Sequence, residues 1–270
     1  MPLETVPLDK DTQSLEIVTV PCLSDNYAYL VKGPDGVAVI DAPEAAPLIT
    51  ALEARGWEPG VLMITHHHPD HHGGTADLRA RFPKMMVMGP KAEADRLPDL
   101  DMALSPGFEG GTGAGRCQVL HVPGHTLGHI AYYYPDASAD GGALFSADSL
   151  MVMGCGRLFE GTPAQMWDTL QQLMALPDDT LVYSGHEYTQ SNTRFALSVE
   201  PNNADLVARA AEIDTLRTED QPTVPAKLGL EKATNPFLRA HLDALKNAVD
   251  KAGVEDAEVF AHIRALKDRF

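Results

Sequence analysis

The sequence predicts a mixed α/β domain running to about residue 190, followed by a helical domain. Three observations predict it. The first two thirds alternate short β-rich runs with turns and a few helices. The strand pattern stops after His186. The remainder carries three segments with apolar residues at helical spacing. A chain of 270 residues, 44% hydrophobic, is long enough for one large domain or one domain with a smaller companion.

The elements follow in order. Leu15–Val20, Ala28–Lys32 and Val37–Asp41 are β-rich, with Gly33-Pro34-Asp35-Gly36 as a turn between the last two. Leu48–Arg55 fits a helix ended by Gly56. Val61–Thr65 is a buried-type strand that runs into a histidine cluster, and Gly73-Gly74-Thr75 opens a helix to Arg81. Met85–Met88, Cys117–Val122, Ile130–Tyr134, Ala143–Ser146 and Thr180–Tyr183 are further strands. Tyr132-Tyr133-Tyr134 is expected to alternate in burial, and glycine-rich Ser105–Gly115 to be a mobile surface loop. Thr162 and Gln165 form a capping-box pattern with Pro163 at the first helical position and Met166, Leu170, Leu173 and Met174 on one face. In the last third, Asn203–Leu216 presents Leu206, Val207, Ala210 and Ile213. A helix from Asn235-Pro236 to Gly253 presents Leu238, His241, Leu242, Leu245 and Val249. Glu255–Phe270 presents Val259, Ile263, Leu266 and Phe270.

Composition bounds the function. Lys+Arg number 21 and Asp+Glu 38, a net charge of −17, which disfavours general affinity for nucleic acid or anionic membranes. Cys22, Cys117 and Cys155 are scattered, so neither a disulfide framework nor a cysteine zinc site is supported. Met1–Lys10 carries Glu4 and Asp9 and does not read as a signal peptide, and no apolar run is long enough to span a bilayer. A soluble, cytoplasmic protein is expected. Gly-x-Ser-x-Gly is absent, which argues against a serine hydrolase.

The chemistry is carried by histidine. Eight of the 11 histidines fall between His66 and His129. Thr65-His66-His67-His68-Pro69-Asp70-His71-His72-Gly73-Gly74 contains His-x-His-x-Asp-His. At a strand end, alternate residues point the same way, so His66 and His68 can grip one metal. After the chain turns, Asp70 and His71 can meet a second. His125, Asp148 and His186 each stand at or just beyond a strand end. Seven candidates, five imidazoles and two carboxylates, suit two divalent metals with a shared carboxylate and a hydroxide between them. Zinc is expected ahead of iron or manganese. His67, His72, His121 and His129 are left for supporting or surface roles, and Asp41 and Glu187 as partners of ligating histidines.

These residues resemble the metallo-β-lactamase superfamily and, within it, the hydroxyacylglutathione hydrolases (glyoxalase II). The narrower resemblance rests on Ser24-Asp25-Asn26-Tyr27, on Gly154-Cys155-Gly156-Arg157-Leu158-Phe159-Glu160-Gly161-Thr162, on Gly185-His186-Glu187-Tyr188-Thr189 and on Thr234-Asn235-Pro236-Phe237-Leu238-Arg239. It implies an αββα sandwich over residues 1–188 and a helical glutathione-binding domain over residues 189–270. It implies that His66, His68 and His125 hold one metal, that Asp70, His71 and His186 hold the other, and that Asp148 bridges. Asp70 and Asp148 are the implied catalytic carboxylates. Tyr188, Arg264 and Lys267 match the family's glutathione contacts, and Arg157 and Phe159 stand at two further contact positions. Arg157 stands where the family has Lys, and Phe159 stands where it has Tyr and lacks the hydroxyl.

The implied reaction is hydrolysis of S-D-lactoylglutathione and related thioesters by the metal-bridging hydroxide, with a glutathione thioester as the partner and a monomer as the simplest assembly. The rival of the same fold is a glutathione-persulfide dioxygenase with a single iron, against which the full ligand set and the Arg264-x-x-Lys267 pair argue. A β-lactamase with two zincs is expected to carry Cys where Asp148 stands, and a superfamily nuclease would need a basic tract.

Overall fold

The computed structural model describes residues 14–112, 114–138 and 141–270. The Met1–Lys10 segment, read above as lacking a signal peptide, lies outside the described residues. Two six-stranded sheets face one another. The first contains β1 (Glu16–Cys22), β2 (Asn26–Gly33), β3 (Gly36–Ile40), β4 (Val61–Met63), β5 (Met86–Pro90) and β6 (Met102–Leu104), in that order. The second contains β7 (Glu109–Gly111), β8 (Arg116–His121), β9 (Ile130–Ser138), β10 (Gly141–Ala147), β13 (Leu181–Ser184) and β14 (Ala226–Lys227). Its order is β14-β13-β10-β9-β8-β7. A small ribbon pairs β11 (Leu150–Met151) with β12 (Gly154–Cys155).

Side-chain alternation builds the layers. Tyr29, Ile40 and Met63 from the first sheet meet Tyr132, Tyr134 and Phe145 from the second, forming the core between sheets. The opposite faces, Leu30, Val39 and Leu62, are covered by α1 (Ala45–Arg55) and α3 (Thr75–Arg81) through Leu48, Leu52 and Leu78. Tyr133, Leu144 and Val182 on the second sheet are covered by α4 (Pro163–Met174) through Met166 and Leu170. The same outer layer includes α5 (Thr189–Val199) and α9 (Asp256–Arg269) through Phe195, Val259 and Ile263. This is the expected αββα sandwich with helices after it. α2 (Pro69–His72), α6 (Ala204–Thr218), α7 (Leu228–Thr234) and α8 (Asp243–Ala248) complete the helices of the described residues. None of these helices is long and apolar enough to cross a membrane.

Several local expectations need correction. All three tyrosines of β9 are buried, because each sheet face has its own covering layer. Ser105–Gly115 is not only loop: Glu109–Gly111 pairs antiparallel with β8. Strands do not stop at His186, since Ala226 and Lys227 pair with β13. The stretch from Asn235 to Gly253 is not one helix. Asn235 accepts from Phe237 N and starts a 3₁₀ turn over Pro236–Leu238, and α8 begins afresh at Asp243, leaving His241 exposed. Val207 and Phe270 are exposed at 49% and 65%, so neither belongs to the core faces assigned to it. The Thr162 capping box forms as expected.

Candidate metal centre

The seven candidates converge on one end of the sandwich. The chain leaves β4 extended through His66 to His68. Pro69, with its fixed φ at the first helical position, then turns it into α2, so Asp70 and His71 face the same space from a helical turn. His125 lies between β8 and β9, Asp148 just after β10 and His186 just after β13. Two residues beside the centre, Asp41 at φ 56° and Ala147 at φ 42°, adopt left-handed backbone, a conformation held only where surroundings enforce it.

The ligand atoms meet closely. His68 Nδ1 lies 3.1 Å from His66 Nε2 and 2.9 Å from His125 Nε2. His186 Nε2 lies 3.5 Å from an Asp70 oxygen and 3.4 Å from Asp148 Oδ2. Asp148 Oδ2 is also 3.3 Å from His125 Nε2, while Oδ1 is 3.5 Å from His71 Nε2. His66/His68/His125, His66/His71/Asp148 and Asp70/His71/His186 each bring three potential ligand atoms within 4.8 Å of one another. His71 Nε2 and Asp148 Oδ1 are buried with no hydrogen-bond partner among the described residues. Two unsatisfied buried acceptors aimed at one point suit a cation, which is the observation that a metal pair fits. Gly185 is required here by close approach: a Cβ at this position would come within 2.4 Å of Asp148 Oδ1.

Outer hydrogen bonds set the rings. His71 Nδ1 lies 2.8 Å from Asp41 Oδ2, His186 Nδ1 2.8 Å from Asp25 Oδ1, and His125 Nδ1 2.8 Å from the Arg157 carbonyl. His66 Nδ1 lies 3.0 Å from Thr65 Oγ1, which itself donates to Asp41. Each contact places the proton on Nδ1 and frees Nε2 toward the centre. Burial, then neighbouring His71, holds the His66 imidazole well below its ordinary range. Burial and His125 bring His68 down to about 4, so both rings are neutral and ready to donate a lone pair. At Asp148, burial is outweighed by His71, His186 and His125, and the carboxyl stays ionised far below its usual range.

A cleft of about 980 Å³ leads from this centre to a basic wall. Phe159, 61% exposed, sets its ring edge-on to His68 and His125 at 5.4 and 5.2 Å. Tyr188 stacks on His186 at 4.7 Å. Arg157, Arg194, Arg264 and Lys267 line the far end. Arg264 is buried there and already engaged: it donates to the Cys155 carbonyl at 3.1 Å and to Asp268 at 2.9 Å, and it lies over the Phe237 ring. Arg157 and Arg194 pair with no carboxylate among the described residues and are exposed.

Residues 24–186 match the family model described as metallo-beta-lactamase superfamily, and residues 187–270 match hydroxyacylglutathione hydrolase C-terminus. A hydroxyacylglutathione hydrolase of Ruegeria pomeroyi is 58% identical over 95% of this chain and 99% of its own length.

The chain belongs to the hydroxyacylglutathione hydrolase family.

A second member of that family, from Cereibacter sphaeroides, is 54% identical over the same shares of the two chains. Among solved structures, ETHE1 from Myxococcus xanthus aligns with a TM-score of 0.63 at 25% identity, covering 93% of this chain and 89% of that one. TTHA1623 in a di-iron-bound form aligns with a TM-score of 0.60 at 26% identity, over 82% of this chain and 98% of that one.

In this hydroxyacylglutathione hydrolase fold, every residue singled out from the sequence as a ligand or glutathione contact belongs to the centre or lines the cleft, His66 and His71 being fully buried members of the centre that do not reach the cleft. Asp41 partners His71 as expected. Glu187 instead accepts from Tyr27 and Thr223, and touches no candidate ligand. Asp25, Glu93 and Arg194 were not singled out individually. Asp25 lies within the Ser24-Asp25-Asn26-Tyr27 motif. Arg194 lies in the second turn of α5, six residues after Tyr188.

Proposed function

We propose that this chain hydrolyses S-D-lactoylglutathione and related S-2-hydroxyacylglutathione thioesters to a 2-hydroxy acid and glutathione, the second step of methylglyoxal detoxification. The observation that carries the reading is a five-imidazole, two-carboxylate set at one end of a cleft whose other end is basic. The identity of 58% to a relative of that name supports it.

We assign His66, His68 and His125 to one divalent ion, Asp70, His71 and His186 to the other, and Asp148 to both, with zinc ahead of iron or manganese. Such a pair supplies, when bound, a hydroxide at neutral pH and positive charge for the carbonyl oxygen of the transition state. The protein's own groups do the remainder. Asp41, Asp25 and Thr65 hold the rings in the tautomer that donates inward. Asp70, with its side chain 41% exposed, faces the cleft and is the carboxylate placed to pass a proton. Phe159 and Tyr188 wall the thioester. Lys267, Arg157 and Arg194 meet the glutathione carboxylates, and Arg264 adds charge from behind the wall.

The proposed division is a catalytic domain over residues 1–188 and a glutathione-binding helical domain over residues 189–270, in a cytoplasmic monomer that takes neither nucleic acid nor membrane as partner. Loss of thioester absorbance with S-D-lactoylglutathione tests the reading. Oxygen uptake with glutathione persulfide, without hydrolysis, would favour the single-iron dioxygenase instead.

A further inference from the structure

We infer that Glu93 is a positioning residue of the metal centre. Its buried carboxylate ties the loop carrying His66 and His68 to the loop carrying His125, so that three imidazoles from two loops face one point. The inference rests on the assignment of those histidines as ligands.

Glu93 lies in the 3₁₀ turn Lys91–Arg96 after β5 and is 1% exposed. Its two oxygens divide between the loops. Oε2 accepts from His67 N at 2.7 Å and lies 2.9 Å from His67 Nδ1. Oε1 accepts from Thr126 Oγ1 and, at 2.9 Å, from Gly128 N. His67 sits between two ligand candidates, and Thr126 follows the third. Glycine at 128 is what lets the carboxylate in: a Cβ there would stand 2.4 Å from Glu93 Cγ.

Each of these partners is able to donate, so only a carboxylate satisfies the set. Glutamine keeps the shape but turns an NH₂ toward donors at one end or the other. Aspartate keeps the charge and is one methylene short of spanning both loops.

His67, Glu93 and Glu160 also bring three potential ligand atoms within 4.8 Å. They do not form a further cation site. Arg96 already pairs with Glu160 and lies 3.8 Å from Glu93 Oε1, while Glu160 accepts from Leu127 N at 2.8 Å. The cluster is a brace, and the arginine neutralises it from outside.

The test is metal affinity, read apart from turnover. The parent chain, Glu93→Gln and Glu93→Asp are stripped of metal and titrated with zinc against a chromophoric chelator, and with cobalt(II) followed by its visible spectrum. Glu93→Gln is expected to weaken one of two bound ions by about 10- to 100-fold, the range typical of groups that orient ligands, and to leave the other close to the parent. Excess metal should restore kcat, with KM for the thioester unmoved. Should Glu93→Gln fail to fold, Thr126→Val removes one donor only and should weaken the same ion by a smaller factor. Unchanged affinities together with a lower melting temperature would overturn the inference and leave Glu93 a merely structural residue. A parent chain that binds no metal would instead overturn the ligand assignment on which it rests.

Discussion

Asp41 Oδ2 and His71 Nδ1 lie 2.8 Å apart at the floor of the metal centre, with both side chains buried. The carboxylate also accepts from Thr65 N at 2.8 Å and Thr65 Oγ1 at 2.9 Å. One residue thereby orients His71 directly and His66 through Thr65. Asp41→Ala should therefore cost about 10- to 100-fold in metal affinity or activity. It should also lower stability by about 1–3 kcal/mol for each buried donor left unpaired. Metal titration and thermal melting of the variant check both. Parent-like affinity would remove Asp41 from the centre.

Arg194 stands on the cleft's basic wall without an acidic partner among the described residues, whereas Arg264 is held by Asp268 and Cys155. Arg194→Ala is expected to raise KM for a glutathione thioester a few-fold at low salt, equivalent to about 0.5–1 kcal/mol for an exposed charge pair, with kcat little changed. The difference from the parent should shrink as ionic strength rises. Steady-state kinetics at two salt concentrations measure it. A fall in kcat with KM unchanged would place Arg194 elsewhere in the reaction.

Lys267 supplies a pH dependence. Burial, then the like charges of Arg264, Arg194 and Arg157, bring its ammonium down to about 8. The group is charged below that pH and neutral above it. Because kcat/KM reports the free enzyme, it should fall as pH rises through about 8, where an anionic substrate loses a cation. Lys267→Arg keeps the charge and should remove this limb. Arg194→Ala removes one repelling neighbour and should move the limb to higher pH. A limb unchanged in all three proteins would assign it to another group.

The centre was legible because its motif is local. His66 to His71 lie within six residues, and the strand before them and the turn after them fix their directions. His125, Asp148 and His186 were found at strand ends, where the sandwich gathers them. The groups that orient these ligands were harder to see. Asp41 was the one anticipated, whereas Asp25 meets His186 across 161 positions, and an aspartate in a turn between strands carries no local signal of a distant histidine. α5 escaped notice because Thr189, Asn192 and Thr193 are among its buried positions, so its inward face is partly polar. β14 is two residues held by backbone pairing, which leaves no side-chain pattern. The Asn235–Gly253 segment kept a helical spacing of apolar residues, yet the Asn235 side chain set a 3₁₀ turn that broke it.

The central claim is that two metal ions, held by one set of seven side chains, are needed for thioester hydrolysis. Metal-free protein titrated with zinc, with S-D-lactoylglutathione hydrolysis and bound metal measured on the same samples, tests it most directly. The account predicts that activity rises until two equivalents are bound and that Asp148→Ala abolishes most of it at any loading. Full hydrolytic activity at one equivalent, with no second ion bound, would contradict it.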